Sequence, residues 1–192
     1  VFIQCDFSEA VFDQLSWIQS NLLQSQAQKT TWQGACEGAT LSECDLTGSE
    51  FNQVSFLKCT INQSVWDASQ FNQCKFHTTA MTQVTANNAA LIKCEFENIT
   101  WIKADLTTVK IEDTQFKQAL LLESDFSDLD LSHTLLQSCT CRESKFHGTK
   151  FVGAQMQASN FSNCDILDAD FSEAHLERAL FIEANISKSH FN

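Results

Sequence analysis

The sequence predicts an all-β solenoid, a chain that turns a corner every five residues and stacks its sides around a shared dry interior. Three observations carry that prediction. A large apolar register recurs at every fifth position from Leu41 to Phe191. A second register, two residues earlier, holds small side chains almost throughout. None of the chain's 24 acidic and 12 basic residues falls in either register over that span.

The large register has 31 members, all apolar, and only Ala86 and Cys141 are small. Its aromatics form the expected core: Phe51, Phe56, Phe71, Phe76, Phe96, Phe116, Phe126, Phe146, Phe151, Phe161, Phe171 and Phe181. The small register runs from Ala39 to Ser189. Of its 31 members 29 are Ala, Cys, Ser, Thr or Val, the exceptions being Ile99 and Leu129. Upstream, Phe2, Phe7, Phe12, Trp17, Leu22 and Trp32 follow the same step displaced by one residue. One residue is therefore lost between Trp32 and Leu41, near Gly34-Ala35-Cys36. With both registers counted, all 16 Phe and four Trp occupy the large position. The expectation is one solenoid over 1–192, with that shift inside it.

Neither ordinary period produces this pattern. On a helix five residues advance about 500°, so successive members define no face. In a flat strand side chains alternate, so a five-step would flip faces each time. A bend at every fifth residue resolves both problems. Residues i and i−2 then point inward together from one short extended stretch.

The units Ala104-Asp105-Leu106, Ser124-Asp125-Phe126, Ser159-Asn160-Phe161, Cys164-Asp165-Ile166, Ala169-Asp170-Phe171 and Ala184-Asn185-Ile186 carry a resemblance to the pentapeptide-repeat family. Its motif is a small residue, Asn or Asp, Leu or Phe, and two variable residues. The resemblance implies a right-handed quadrilateral parallel β-helix with four pentapeptides per turn, hence some nine to ten coils. At twenty residues per turn Phe56, Phe76, Phe96 and Phe116 pile into one column. A solenoid also needs its ends covered, by flanking sequence, another domain or a second copy of the chain.

Composition narrows the function. A net charge of −12 disfavours direct binding to nucleic acid or anionic membrane, both of which need Lys and Arg. Residues 1–57 carry seven acids and one base, 58–117 six of each, and 118–192 eleven acids and five bases. No apolar run is long enough to span a membrane. The opening residues show no signal peptide, so a cytoplasmic location is expected, and the missing initiator Met suggests a piece of a longer chain. The nine Cys fall mostly in the small register and read as packing residues. Cys139 and Cys141 take a small and a large position, which argues against a metal site. His77, His133, His147, His175 and His190 take outward positions on different turns. No cofactor motif, metal-ligand cluster or nucleophile motif is found, and an enzyme is not expected.

The remaining candidates are two sets of carboxylates, Asp125, Asp128 and Asp130, then Asp165, Asp168 and Asp170. All are expected outward, as an acidic binding surface. Two functions follow. One is a non-catalytic protein-interaction module, since members of the resembled family occur as domains of bacterial effectors and secretion-system accessory proteins. The other is DNA mimicry, because the quinolone-resistance members resemble an acidic duplex and bind type II topoisomerase. The neutral middle of this chain counts against the second.

The core assignment has a direct test. Phe96→Asp should abolish the folded state in circular dichroism, because an unpaired buried charge is prohibitive. A soluble, cooperatively melting variant would overturn the register.

Overall fold

Corners set the architecture. In the computed structural model, which describes residues 1–192, the second residue after nearly every large one turns the chain with a positive φ. Outside glycine, 32 residues do so, with φ between 49° and 65°. The left-handed region costs an ordinary residue about 1–2 kcal/mol. The bends are therefore imposed by cross-coil pairing, not by local preference.

Four such corners close a turn, and each residue pairs in parallel with the residue one turn away. On the first face the strands Phe2–Ile3, Asn21–Leu23, Thr40–Ser42, Thr60–Asn62, Ala80–Thr82, Thr100–Ile102 and Leu120–Leu122 form one seven-stranded ladder. The second face, carrying Leu46, Trp66, Ala86 and Leu106, is held by single bridges such as Asp45–Val65 and Val65–Thr85. The third face (Phe51, Phe71, Leu91) and the fourth (Phe56, Phe76, Phe96) share an eleven-stranded sheet.

Two long strands, Val11–Ile18 and Thr31–Glu37, run on across the corner between those last two faces, which they turn at Gln14 (φ 52°) and Gly34 (φ 132°). Trp32 pairs with Phe51 and Ala35 with Ser55, so three steps do the work of four. On the other side Phe12 pairs with Trp32 and Leu15 with Gly34, across a bulge. Gly34 has a φ of 132°, and a Cβ there would lie 2.2 Å from the Leu15 carbonyl oxygen. Only glycine fits that approach.

Seven turns carry the continuous ladder of the first face, fewer than the nine to ten coils expected from the repeat. The levels beyond it pair through the single bridges Leu120–Thr140, Thr140–Asn160 and Asn160–Leu180. One of these levels carries an Asx turn, in which the Ser162 amide donates to Asn160 Oδ1 at 2.9 Å; Ser172 does the same to Asp170 on the third face, also at 2.9 Å. An amide turned back on its own unit no longer extends a strand.

Inside, the in-register ladder stacks like on like. Phe51 and Phe71 lie 4.4 Å apart and 3° from parallel, and Phe56, Phe76, Phe96 and Phe116 continue at 4.6, 4.6 and 4.9 Å. These distances are close to the spacing of paired strands, about 4.7–4.9 Å. The expected core Phe residues are buried with one exception. Phe181 is only half-buried, because it lies in the outermost coils, where neighbours cover one side alone. Phe2 and Phe191, also outermost, are 39% and 45% exposed.

The small register does more than fit a narrow space. Its hydroxyls and thiols donate to a carbonyl of the preceding coil: Ser69 to Leu46 at 2.7 Å, Thr114 to Leu91 at 2.9 Å, Thr149 to Phe126 at 2.9 Å and Cys94 to Phe71 at 3.3 Å. Each such side chain is a clamp between turns. No helix long and apolar enough to cross a membrane is present.

Gly34→Ala should lower stability by more than about 1 kcal/mol in urea denaturation followed by tryptophan fluorescence. An unchanged midpoint would mean that the corner crossing tolerates a Cβ.

Candidate functional site

The six carboxylates singled out above lie on two adjacent faces and the corner between them. Asp125, on the second face, accepts from the Ser127 amide at 3.0 Å and hydroxyl at 2.6 Å, with Lys145 Nζ at 3.8 Å. Asp165, two levels along the same column, is bonded by His147 Nε2 at 2.8 Å and by Asn185 Nδ2 at 3.0 Å. Asp130 and Asp170 stand in the corresponding column of the third face, where Asp130, Lys150, Asp170 and His190 are successive bridge partners. Charge alternates along that column. Asp128 and Asp168 are corner residues, with φ of 62° and 53°.

Local bonds explain the behaviour of two of these acids. Bonds from Ser132 hold the Asp130 carboxyl below the usual carboxylate range, and bonds from Ser172 do so for Asp170. These carboxylates are parts of turns as well as surface charges.

What the structure brings together is different. The ladder opens along one stretch of the third face, between residues 108–113 and the coil above them. Neighbouring coils bond here at every step, for example Lys93 N–H to Glu112 and Leu131 N–H to Lys150, each at 2.8 Å. The corresponding bonds from Ile111 to Asp130, Asp130 to Val109 and Asp113 to Ser132 are absent. A hollow of about 630 Å³ occupies the gap. Its walls include Thr108, Lys110, Glu112, Asp113, Asp128 and Asp130. Lys110 Nζ sits 2.7 Å from Glu112 Oε2, leaving three carboxylates without a cation this close.

Two residues account for the opening. From Glu43 onward every corner residue except Thr108 has a positive φ. A β-branched residue resists that conformation, and the coil leaves its path there. Leu129 then places a bulky side chain in the small register directly over Val109. Thr78 turns its corner normally with φ 51°, so a corner threonine alone does not suffice. The combination with Leu129 distinguishes the site.

A lesser opening lies one face earlier, between 83–88 and 102–107, where the bonds from Gln83 to Ile102 and from Ala86 to Asp105 are missing. Ala86 underfills the large position. Trp66 and Trp101, from the coils on either side, lean to within 6.1 Å of each other across the space it leaves. Both indole N–H groups are buried without a partner.

The cysteines are packing residues for the most part. Eight are buried and Cys5 is half-buried. Burial pushes the Cys36 and Cys139 thiols up to about 12 and Cys164 up to about 11. Cys139 Sγ donates to the Phe116 carbonyl at 3.3 Å and Cys164 Sγ to that of Cys141 at 2.7 Å. They serve as clamps, in keeping with their register.

Comparison with known proteins agrees with this architecture. Residues 109–191 match the family model described as a pentapeptide repeat region, and no curated protein matches the chain. HetL, a pentapeptide repeat protein involved in heterocyst differentiation regulation from the cyanobacterium Nostoc sp. strain PCC 7120, is similar in structure. It is 16% identical with a TM-score of 0.60, over 91% of this chain and 88% of its own. A trypsin-treated form of QnrB1, a plasmid-mediated fluoroquinolone resistance protein, is 11% identical with a TM-score of 0.50, over 100% of this chain and 91% of its own. At such identities the likeness establishes the fold alone.

Two measurements check the site. In amide exchange by NMR, Ile111, Asp113 and Asp130 should exchange at least tenfold faster than Lys93, Lys110 and Leu131. Thr108→Gln combined with Leu129→Ser should remove the difference. In an acid titration Asp130 should protonate below the usual carboxylate range, and Ser132→Ala should raise it part of the way, because the amide at 132 and Lys150 still favour the charged form. A depressed pKa in the folded state adds stability that is present above the unfolded value and is lost as pH falls through the folded one. The acid limb of the stability curve should therefore move to higher pH in Ser132→Ala.

Proposed function

We propose that this chain, which carries a pentapeptide-repeat region and is wound as a parallel β-solenoid throughout, is a non-catalytic protein-interaction module. In this reading it is a rigid scaffold or adaptor domain serving a bacterial effector or secretion-system accessory protein. One observation carries the proposal. The ladder holds four rows of outward side chains at strand spacing, and corners whose φ varies little from coil to coil keep those rows aligned. Such faces are already ordered, so a partner docks without the cost of immobilising a loop. Burial and raised thiol pKa values disfavour Cys36, Cys139 and Cys164 as nucleophiles, which is in keeping with binding rather than chemistry.

The acidic composition invites the alternative, a mimic of the DNA duplex that binds type II topoisomerase. The arrangement of charge opposes it. Lys145 stands between Asp125 and Asp165 on the second face, and Lys150 between Asp130 and Asp170 on the third. A duplex presents an unbroken run of negative charge; these columns do not.

Immobilised full-length chain should capture a protein partner in stoichiometric amount, and repeatedly empty captures would count heavily against the module. At micromolar concentration it should leave gyrase supercoiling unchanged. Inhibition that disappears in Asp125→Lys with Asp165→Lys would establish the mimic instead.

A further inference from the structure

The third-face opening is more than a flaw in the wall. Where coils pair normally, a small-register hydroxyl closes the joint. Thr134 occupies that position above the gap and is only 8% exposed. Its equivalents Thr114 and Thr149 donate to Leu91 and Phe126. Thr134 makes no such clamp, and the carbonyl it would reach, that of Ile111, accepts no backbone bond either. Threonine 134 lines the hollow. The side chain, mostly buried, is thus left to offer its hydroxyl to whatever enters the hollow.

The main chain adds to this set. The N–H groups of Ile111, Asp113 and Asp130 are free, as are the carbonyls of Val109, Asp130 and Ser132. Both lips of the opening thus present the alternating donors and acceptors of an unpaired strand edge, the template for strand addition. A metal ion or a polyamine would satisfy the acceptors and leave the donors unmet. A peptide backbone carries both. The walls also hold four carboxylates, from Glu112, Asp113, Asp128 and Asp130, against the single ammonium of Lys110. That balance selects cationic side chains. The volume, about 630 Å³, falls in the range of ligand sites, roughly 300–1,000 Å³.

We propose that the opening between residues 108–113 and 127–134 binds a short extended basic segment of a protein partner. The segment pairs its backbone with the free groups of the lips, and its Arg or Lys side chains meet Asp113, Asp128 and Asp130. This rests on the interaction-module reading and names the chemistry of the partner.

The test uses the full chain and a fluorescein-labelled eight-residue peptide alternating Arg with Val and Thr. The same peptide with Glu for Arg, spermine, and calcium ion serve as comparisons. The Arg peptide should bind in fluorescence anisotropy and slow amide exchange at Ile111, Asp113 and Asp130 at least tenfold. Asp128→Asn with Asp130→Asn keeps both backbone roles and should weaken binding at least tenfold. Thr108→Gln with Leu129→Ser closes the gap and should abolish it. The proposal is overturned if the Glu peptide binds equally, if the Arg peptide binds without protecting those amides, or if the closed variant still binds. Protection by calcium or spermine alone would make the opening a cation site instead. A captured protein partner retained equally by the Asp128→Asn/Asp130→Asn chain would leave the interaction module standing and remove this slot from it.

Discussion

Parallel pairing at a fixed offset of one turn is the constraint on which the rest of the molecule depends. It brings each residue over its counterpart in the coil below, so the ladder spacing becomes the stacking distance of the phenylalanine columns. It also supplies the bonds that hold ordinary residues in left-handed corners. Aromatic burial and hydrogen bonding act through the same repeat, and neither is satisfied unless the register is kept. The lost residue between Trp32 and Ala35 shows how firmly it is kept. The coil crosses that corner with one residue fewer and recruits a bulge and Gly34 to keep the pairing on both sides.

The small register has a second physical role that size alone does not reveal. A serine, threonine or cysteine there donates its proton down to the previous coil, and turns are fastened side to side as well as strand to strand. Alanine in the same register leaves the joint to the backbone, which suffices at Ala89 and Ala119. Leucine at 129 does not fit, and with Thr108 resisting the left-handed corner the joint opens. An interruption of the pairing therefore creates relief on an otherwise flat rod, and the relief contains the free polar groups that regular coils consume.

Charge follows the same logic of columns. Because outward residues also stack at one-turn offsets, sign along a column matters more than net charge. Lys75 pairs with Glu95 at 3.2 Å and Lys103 with Glu123 at 3.5 Å, and both pairs are exposed and contribute little to stability. Such pairs neutralise part of the acidity locally, and the net charge of −12 rests on the acids left over. The carboxylates at 113, 128 and 130, none of them in an ion pair, stand out for that reason, where a residue count distributes acidity over both ends.

Nearly the whole architecture was legible in the residues themselves. A five-step of large apolar positions with a small one two before it admits few ways to bury both, and the positions of Phe56, Phe76 and Phe96 in one column follow directly. The lost residue near Gly34 was legible as well, since a register displaced by one must be absorbed somewhere. Grouping of the acids was not. Asp125, Asp128 and Asp130 are close in sequence, yet a corner separates the first from the last, and the actual companions of Asp128 and Asp130 are Glu112 and Asp113 from the coil below. Periodicity states which side chains point inward, because that depends on the chain alone. Whether two neighbouring turns close against each other depends on volumes and dihedral preferences contributed by both, and only the assembled coil decides it.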